Sequence, residues 1–576
     1  MIEKCLVPGI STKKESVTTM LKIEKNLIEV DVLIAGGGIA GLMAGIRAAG
    51  EGVSVAVVEK ANTKRSGSGA TGNDHFCCYM PEVHGDDVGP ILWEDLHSLH
   101  GDFQDPSLAR LFLEQTYDRV KDWDGWGISM RPKGRWDFSG HAYPGRPRIF
   151  LKYAGYNQKA VLTEQAKKQG VRILNHHVVT DVIVLGNEVV GALGISTQGE
   201  APVLKVFRAK AVILATGAAT RLYPSTTPGC MFNIPFCPVC TGSGRAIAYR
   251  AGARLVNMEI PNRHAGPKFL ARCGKATWIG LYKDPHGRTV GPFVTRPTRE
   301  LGDITADVWN SVFTDMFKSG KGPVYIDCTE TAKEDIEYMM WGLVQEGNTA
   351  MLDYMKKEGI DVRKHRVEFR QYEPFLIGSR GIEIDQKAET NVAGLYAAGD
   401  DVGNFRADLS GAATFGWIAG KSASDRAKKL QEFRKAEKAD IVEGRISLYS
   451  GFMNHENGAG WKEANLALQQ IMQDYAGVEV RSETLLKAGL KYLRDLRGKA
   501  AESLMVRNSH ELMRALETFD LMDCGEVILL TALERKETRG MHRRSDYPFT
   551  NPLLQDKFLG IRLKNGRAVT SWREKK

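Results

Sequence analysis

The sequence predicts an α/β fold in which a sheet domain, built from two separated stretches, carries an inserted α+β segment and precedes a helical region. Three observations point to it. Near the N terminus a strand, a glycine turn, a helix and a second strand follow in immediate succession. Two later apolar runs end in glycine turns, and the last third has helical periodicity almost throughout. The 576 residues suffice for three or four compact units at about 150 residues each. With 43% hydrophobic and 26% charged residues, the composition excludes wholesale disorder, a collagen-like repeat and a disulfide scaffold.

Residues 1–28 read as an N-terminal arm, without the apolar core of a secretory signal. No run approaches the roughly 20 apolar residues of a membrane helix, so no membrane span is expected. Nine cysteines, an odd number, suit a reducing, cytoplasmic setting. Residues 30–35 (VDVLIA) form a strand that runs into Gly36, Gly37, Gly38, Ile39, Ala40 and Gly41. A helix follows, then a strand at 53–58 ending at Glu59, 18 residues beyond Gly41. This order is that of a dinucleotide-binding unit. Gly36 permits the tight turn, Gly38 lets backbone amides reach a pyrophosphate, Gly41 lets helix and strand pack closely, and Glu59 accepts from an adenosine ribose.

Two further strand-turn units belong to the same sheet: residues 211–215 leading into Ala215, Thr216 and Gly217, and 394–398 leading into Gly399 and Asp400. Between them lies a proline- and glycine-rich insertion, helical from about 305 to 318, that returns to the sheet near Glu373. Helices are expected at 421–437, 461–475, 482–496, 510–521 and 525–537. The division is thus 1–28, 29–250 (first part of the sheet domain), 251–365 (inserted cap), 366–428 (second part), 429–545 (helices) and 546–576 (basic tail). That tail concentrates charge: residues 541–576 hold nine Lys/Arg against three acids, six of the net nine positive charges.

GGGIAGLMAG at 36–45, VVEKA at 57–61, RSGSGATG at 65–72, ILATGAA at 213–219, GLYAAGD at 394–400 and ERKETRGMHRRSDYP at 534–548 resemble the flavoprotein subunits of succinate dehydrogenase and fumarate reductase. The layout is especially similar to the alpha subunit of adenylylsulfate reductase. The resemblance implies a Rossmann-like FAD-binding domain with a capping domain and a helical domain, and an FAD-dependent oxidoreductase. Lys60, Arg65, Ser66 and Gly67 would lie beside the pyrophosphate and flavin, Asp400 would accept from a ribityl hydroxyl, and Ser410 would belong to the closing segment. Gly67 stands where membrane-bound relatives carry a flavin-linking histidine, which implies non-covalent FAD.

The sequence departs from that family at its cations. Ala306 and Asp408 occupy places where the family carries arginines, which weighs against plain succinate, fumarate or L-aspartate oxidase chemistry. Cys77 replaces an asparagine of adenylylsulfate reductase. His264, Arg380 and Arg406 remain as candidate catalytic cations and argue for a small anionic substrate, since guanidinium binds carboxylate, phosphate or sulfo groups bidentately. Cys230, Cys237 and Cys240 admit two readings, a redox dithiol or structural thiols; without a near fourth ligand they make no zinc site, and no metal is expected. The chain has no ferredoxin-spaced cysteine run, so electrons require an iron-sulfur, ferredoxin-like partner, for which the basic C terminus offers a docking face. Nucleic acid is not expected. A second class of reading is a flavin relay protein whose own site has decayed.

Overall fold

The computed structural model describes residues 23–97, 103–140, 147–225, 231–232, 234, 236–268, 278–299, 305–309, 311–405 and 408–576. Its centre is a seven-stranded sheet. In spatial order it runs Arg172–Asn175, Val55–Glu59, Glu24–Ala35, Val203–Leu214, Glu188–Ser196 and His177–Leu185, with Leu395–Ala397 pairing the far end of Val203–Leu214. The first four strands and Leu395–Ala397 are parallel, and the last two are antiparallel. Val55–Glu59 is buried at every position, as a parallel strand covered on both faces must be. The first strand begins earlier than expected: Glu24 already pairs Val203, so the last residues assigned to the arm belong to the sheet. Residues 1–22 lie outside the described residues.

Helix Ile39–Gly50 follows the glycine turn and packs on helix Leu409–Lys429 by direct backbone approach. A Cβ on Gly416 or Gly420 would stand 2.4 Å from the Ala40 or Ala44 carbonyl oxygen. The two stretches of the sheet domain are joined at this contact.

The inserted segment builds its own four-stranded antiparallel sheet, ordered Ala265–Pro267, Val367–Gln371, Val324–Asp327 and Leu281–Lys283. Helices Lys333–Gln345 and Thr349–Lys357 accompany it, and Trp278, Tyr282, Met339, Leu343 and Phe369 form a separate apolar core. The expected single helix at 305–318 is two short ones, Thr305–Val308 and Val312–Lys318.

In the helical region Trp461–Tyr475 matches expectation, Asp440–Asn454 is an additional helix, and the two helices expected around Gly525 are one, Ser509–Glu534. Gly525 does not break it, because its missing side chain makes room for neighbours. A Cβ there would stand 2.9 Å from Leu493 Cδ1 and 3.1 Å from Met472 Sδ, on the two adjacent helices.

The basic C terminus is not a tail. Lys557–Lys564 and Arg567–Glu574 form a hairpin that joins Leu255–Val256 and Gly381–Ile382 in a four-stranded sheet. Arg573 draws it inward, donating to both Asp105 carboxylate oxygens (2.8 and 2.7 Å) and to Glu383. Arg544 pairs with Asp546 (2.7 and 2.8 Å). Part of the charge expected to face a partner therefore closes the fold on itself.

Candidate active-site cleft

One cleft of about 1000 Å³ collects the glycine turns of the sheet domain and the inner face of the inserted segment. Gly36, Gly38, Ile39, Ala40, Glu59, Lys60, Arg65, Gly67, Ala215, Thr216, Gly217, Gly399 and Asp400 line it, with His264 and Arg380. Gly41, Ser66 and Ser410 do not line it.

The first turn is built by steric exclusion. Gly36 has φ +102°, and a Cβ on it would stand 2.3 Å from the Ala215 carbonyl oxygen; one on Gly41 would stand 1.9 Å from that of Gly36. A Cβ on Gly38 would instead meet no atom within 4 Å, leaving an open cradle at a helix N terminus, where an anionic phosphate is favoured. Glu59 is buried and oriented by the amides of Gly37 and Ala61 (2.8 Å each), leaving a lone pair on each oxygen for a ribose hydroxyl. Asp400 has a carboxyl without a hydrogen-bond partner among the described residues, and burial pushes it up to about 7. A ribityl hydroxyl there would supply what the fold leaves out. On these three observations the cleft fits the expected dinucleotide.

Several expectations are corrected. Lys60 does not offer a free cation: it donates to Glu517 (2.7 Å) and the Val239 carbonyl. Glu517 lies completely buried among Lys60, Arg221 and Arg514 and is lowered to about 2: burial alone would raise it, and the three cations outweigh that. Ser66 is buried, its hydroxyl unpartnered among the described residues. Ser410 spends its hydroxyl on Asp408 within the first turn of helix Leu409–Lys429. Asp408 lines the cleft as that helix's N-cap, accepting from Gly411 N–H (2.9 Å), which explains an acid at that place. Arg406, like Cys230, lies outside the described residues. Arg263 points away to Glu479 (2.5 Å) and the Tyr372 carbonyl (2.7 Å).

Arg380 is the informative cation. It is 5% exposed, donates to the carbonyls of Ile260 (2.7 Å) and Gly378 (3.3 Å), and stacks over Phe103 at 4.4 Å. Glu383 is taken by Arg254 and Arg573, and Glu259 is held by Arg535 through Oε1, although the Glu259 charge still acts on Arg380 through space. Among the described residues it has no ion-pair partner, and burial lowers it to about 9. His264 stands on the same cleft between Phe236 and Phe375, with ring centroids at 5.2 and 5.3 Å. Ala306 lines the cleft wall, where its methyl group brings no charge.

Four residues carry weight that sequence reasoning missed. Arg245, fully buried, ties three turns together by donating to the carbonyls of Gly217 (2.8 Å), Arg380 (2.7 Å) and Asp400. Asp401, next to Asp400, accepts from Thr216 Oγ1 (3.0 Å) and its amide. Lys159, in helix Gln158–Lys168, is 2% exposed, holds the Gly37 carbonyl and is lowered to about 8 by burial. An arginine or lysine at an otherwise apolar helical position was the available signal for Arg245 and Lys159. Trp278 lines the cleft with a buried indole N–H that has no partner among the described residues. Asp74, His75 and Glu346 bring ligand atoms within 4.8 Å of one another, three ligands where a structural zinc takes four, and no metal is assigned.

The FAD binding domain family matches residues 31–412, and the fumarate reductase flavoprotein C-terminal family matches 465–564. The chain is 26% identical over 568 residues to one of the subunits of the fumarate reductase (CoM/CoB) of Methanothermobacter marburgensis, covering 92% of this chain and 96% of that protein. It is 27% identical over 368 residues to L-aspartate oxidase of Yersinia pestis, 60% of this chain and 62% of that one. The structure of adenylylsulfate reductase from Archaeoglobus fulgidus shares the fold at a TM-score of 0.79 and 22% identity, over 96% of both chains. Among the described residues no helix is long and apolar enough to cross a membrane.

Proposed function

This chain belongs to the FAD-binding family of fumarate reductase-type flavoproteins and is an FAD-dependent oxidoreductase; from that premise we propose that it exchanges two electrons between the flavin and a small anionic substrate held under the cap. The observation that carries this reading is the buried Arg380 on the cleft, which has no ion-pair partner among the described residues and only the through-space charge of Glu259 to offset its burial. A guanidinium removed from water without a carboxylate is costly, and an anion entering the cleft would offset that cost with charge-assisted bonds. Trp278 offers a further donor to the same anion, and His264 is placed to give or take a proton at an imidazole nitrogen. FAD, held non-covalently by the Gly38 cradle, Glu59 and Asp400, supplies the two-electron chemistry. An iron-sulfur protein is the electron partner in this reading, because the chain lacks a cluster-binding cysteine run. The free thiols suit a cytoplasmic setting.

Ala306 and Asp408 on the cleft wall favour an anion other than fumarate or aspartate, and sulfite or adenylylsulfate is the leading class. The test is a titration of FAD-loaded protein with fumarate, succinate, aspartate, sulfite and adenylylsulfate, read as the flavin difference spectrum. A saturable shift with one anion is expected. Silence across the panel would overturn the proposal in favour of an electron-relay protein.

A further inference from the structure

The segment Cys237-Pro238-Val239-Cys240 lies on the same cleft, and neither the nucleotide cradle nor the anion site uses it. Both cysteines line the cleft and both are free thiols. The backbone between them closes a tight turn, Cys240 N–H to the Cys237 carbonyl at 3.1 Å. Two neighbours clamp that turn: Thr220 Oγ1 donates to the Cys240 carbonyl (2.7 Å), and Lys60 reaches the Val239 carbonyl.

The pair also stands against the second glycine turn. A Cβ on Gly217 would lie 3.1 Å from Cys240 Sγ, so the thiol occupies space left by the glycine that lines the cleft beside Thr216. Cys240 is 5% exposed and Cys237 is partly open to the cleft, the asymmetry of an attacking and a resolving thiol. The electrostatics run the same way. The hydrogen bond from Cys240, with the Lys60 charge, lowers Cys237, while the same bond and burial raise Cys240.

We propose that Cys237 and Cys240 form a redox dithiol that exchanges an electron pair with the flavin and gives the enzyme a second two-electron store. When the dithiol is oxidised, the two thiols lose two protons and two electrons as one Sγ–Sγ bond forms. The electron pair and one proton enter the oxidised flavin, and the other proton leaves to solvent. In the reverse direction the reduced flavin returns the pair and its proton, a solvent proton is taken up, and the bond breaks. Such a store would let the anion site and a one-electron partner work out of step. A transient disulfide of this kind is compatible with a reducing compartment.

This inference rests on the flavin assignment but not on the substrate class. The experiment uses FAD-loaded, air-oxidised protein under anaerobic dithionite titration, beside the variants Cys237→Ser and Cys240→Ser. Wild type is expected to take up about four electrons per FAD and each variant about two, one couple having been removed. Peptide mass spectrometry of the oxidised wild type, which does not depend on any variant folding, is expected to find a Cys237–Cys240 disulfide that disappears on reduction. Uptake of two electrons by wild type, with no such disulfide, would overturn the inference. Uptake of four electrons in a protein silent to every anion would overturn the proposed substrate class and leave the dithiol standing.

Discussion

Replacing Arg380 by methionine should move stability and binding in opposite directions. The side chain is buried without an ion-pair partner among the described residues and is lowered from 12.5 to about 9, burial outweighing the nearby Glu259 charge, so the fold disfavours its charge. At about 1.36 kcal/mol per tenfold change in proton affinity, that depression corresponds to about 5 kcal/mol. For a base whose folded value is depressed, the cost is present in full below pH 9 and fades only as pH rises toward 12.5, so it is complete at neutral pH. Against it stand the hydrogen bonds to the Ile260 and Gly378 carbonyls, about 1 kcal/mol each. Arg380→Met should therefore stabilise the flavin-free protein by up to about 3 kcal/mol at pH 7. The same substitution removes charge-assisted bonds of about 1.5 to 3 kcal/mol from a bound anion, a loss of about 10- to 100-fold in affinity. Urea unfolding of the apoprotein reads the first effect, and anion titration of the flavin spectrum reads the second. A variant that is less stable and binds the anion as well as wild type would refute the reasoning and make Arg380 a structural residue.

Gly38→Val should give a folded protein with little bound FAD, because a Cβ there meets no protein atom within 4 Å and the added side chain would fill the cradle. Gly36→Ala should fail to accumulate as folded protein, with its Cβ 2.3 Å from a backbone oxygen at φ +102°; circular dichroism and flavin content separate the two. Glu373, 7% exposed with both carboxylate oxygens unpartnered among the described residues, is raised to about 7 by burial. An acid raised in the fold costs nothing below its unfolded value near 4.5 and its full cost above 7. The stability gained by Glu373→Gln should thus grow by about 2 kcal/mol from pH 5 to pH 8, and a gain independent of pH would count against an ionised Glu373. Because Gly67 lines the cleft without a nucleophile, acid precipitation should release FAD to the supernatant, and a yellow pellet would contradict non-covalent binding.

What could be read in advance was chemistry written in contiguous residues. The turn at Gly36, Gly38 and Gly41 and the acid at Glu59 are local consequences of a strand feeding a helix, and the structure gives each the steric or polar setting its spacing implies. Arg380 could be recognised as a cation near the site; that it has no ion-pair partner among the described residues could not, because this depends on Arg254 and Arg573 having claimed Glu383 and on Arg535 holding Glu259 through Oε1. Lys60 shows the reverse: a loop lysine suited to a phosphate is taken by Glu517, 457 residues along the chain. The stretch before Gly525 looked like a break between two helices and lies inside one, with Gly525 a packing notch, and the basic C terminus looked like a docking tail and is a hairpin pinned at Asp105.

The sequence by itself determined the α/β class, the nucleotide turns and the presence of a CxxC segment, since backbone sterics and apolar periodicity act over a few residues. Tertiary structure alone decided which charges are spent and which remain for a ligand. Ion pairing in a low-dielectric interior is settled by whichever partner lies within about 4 Å, and that distance is set by the packing of elements hundreds of residues apart.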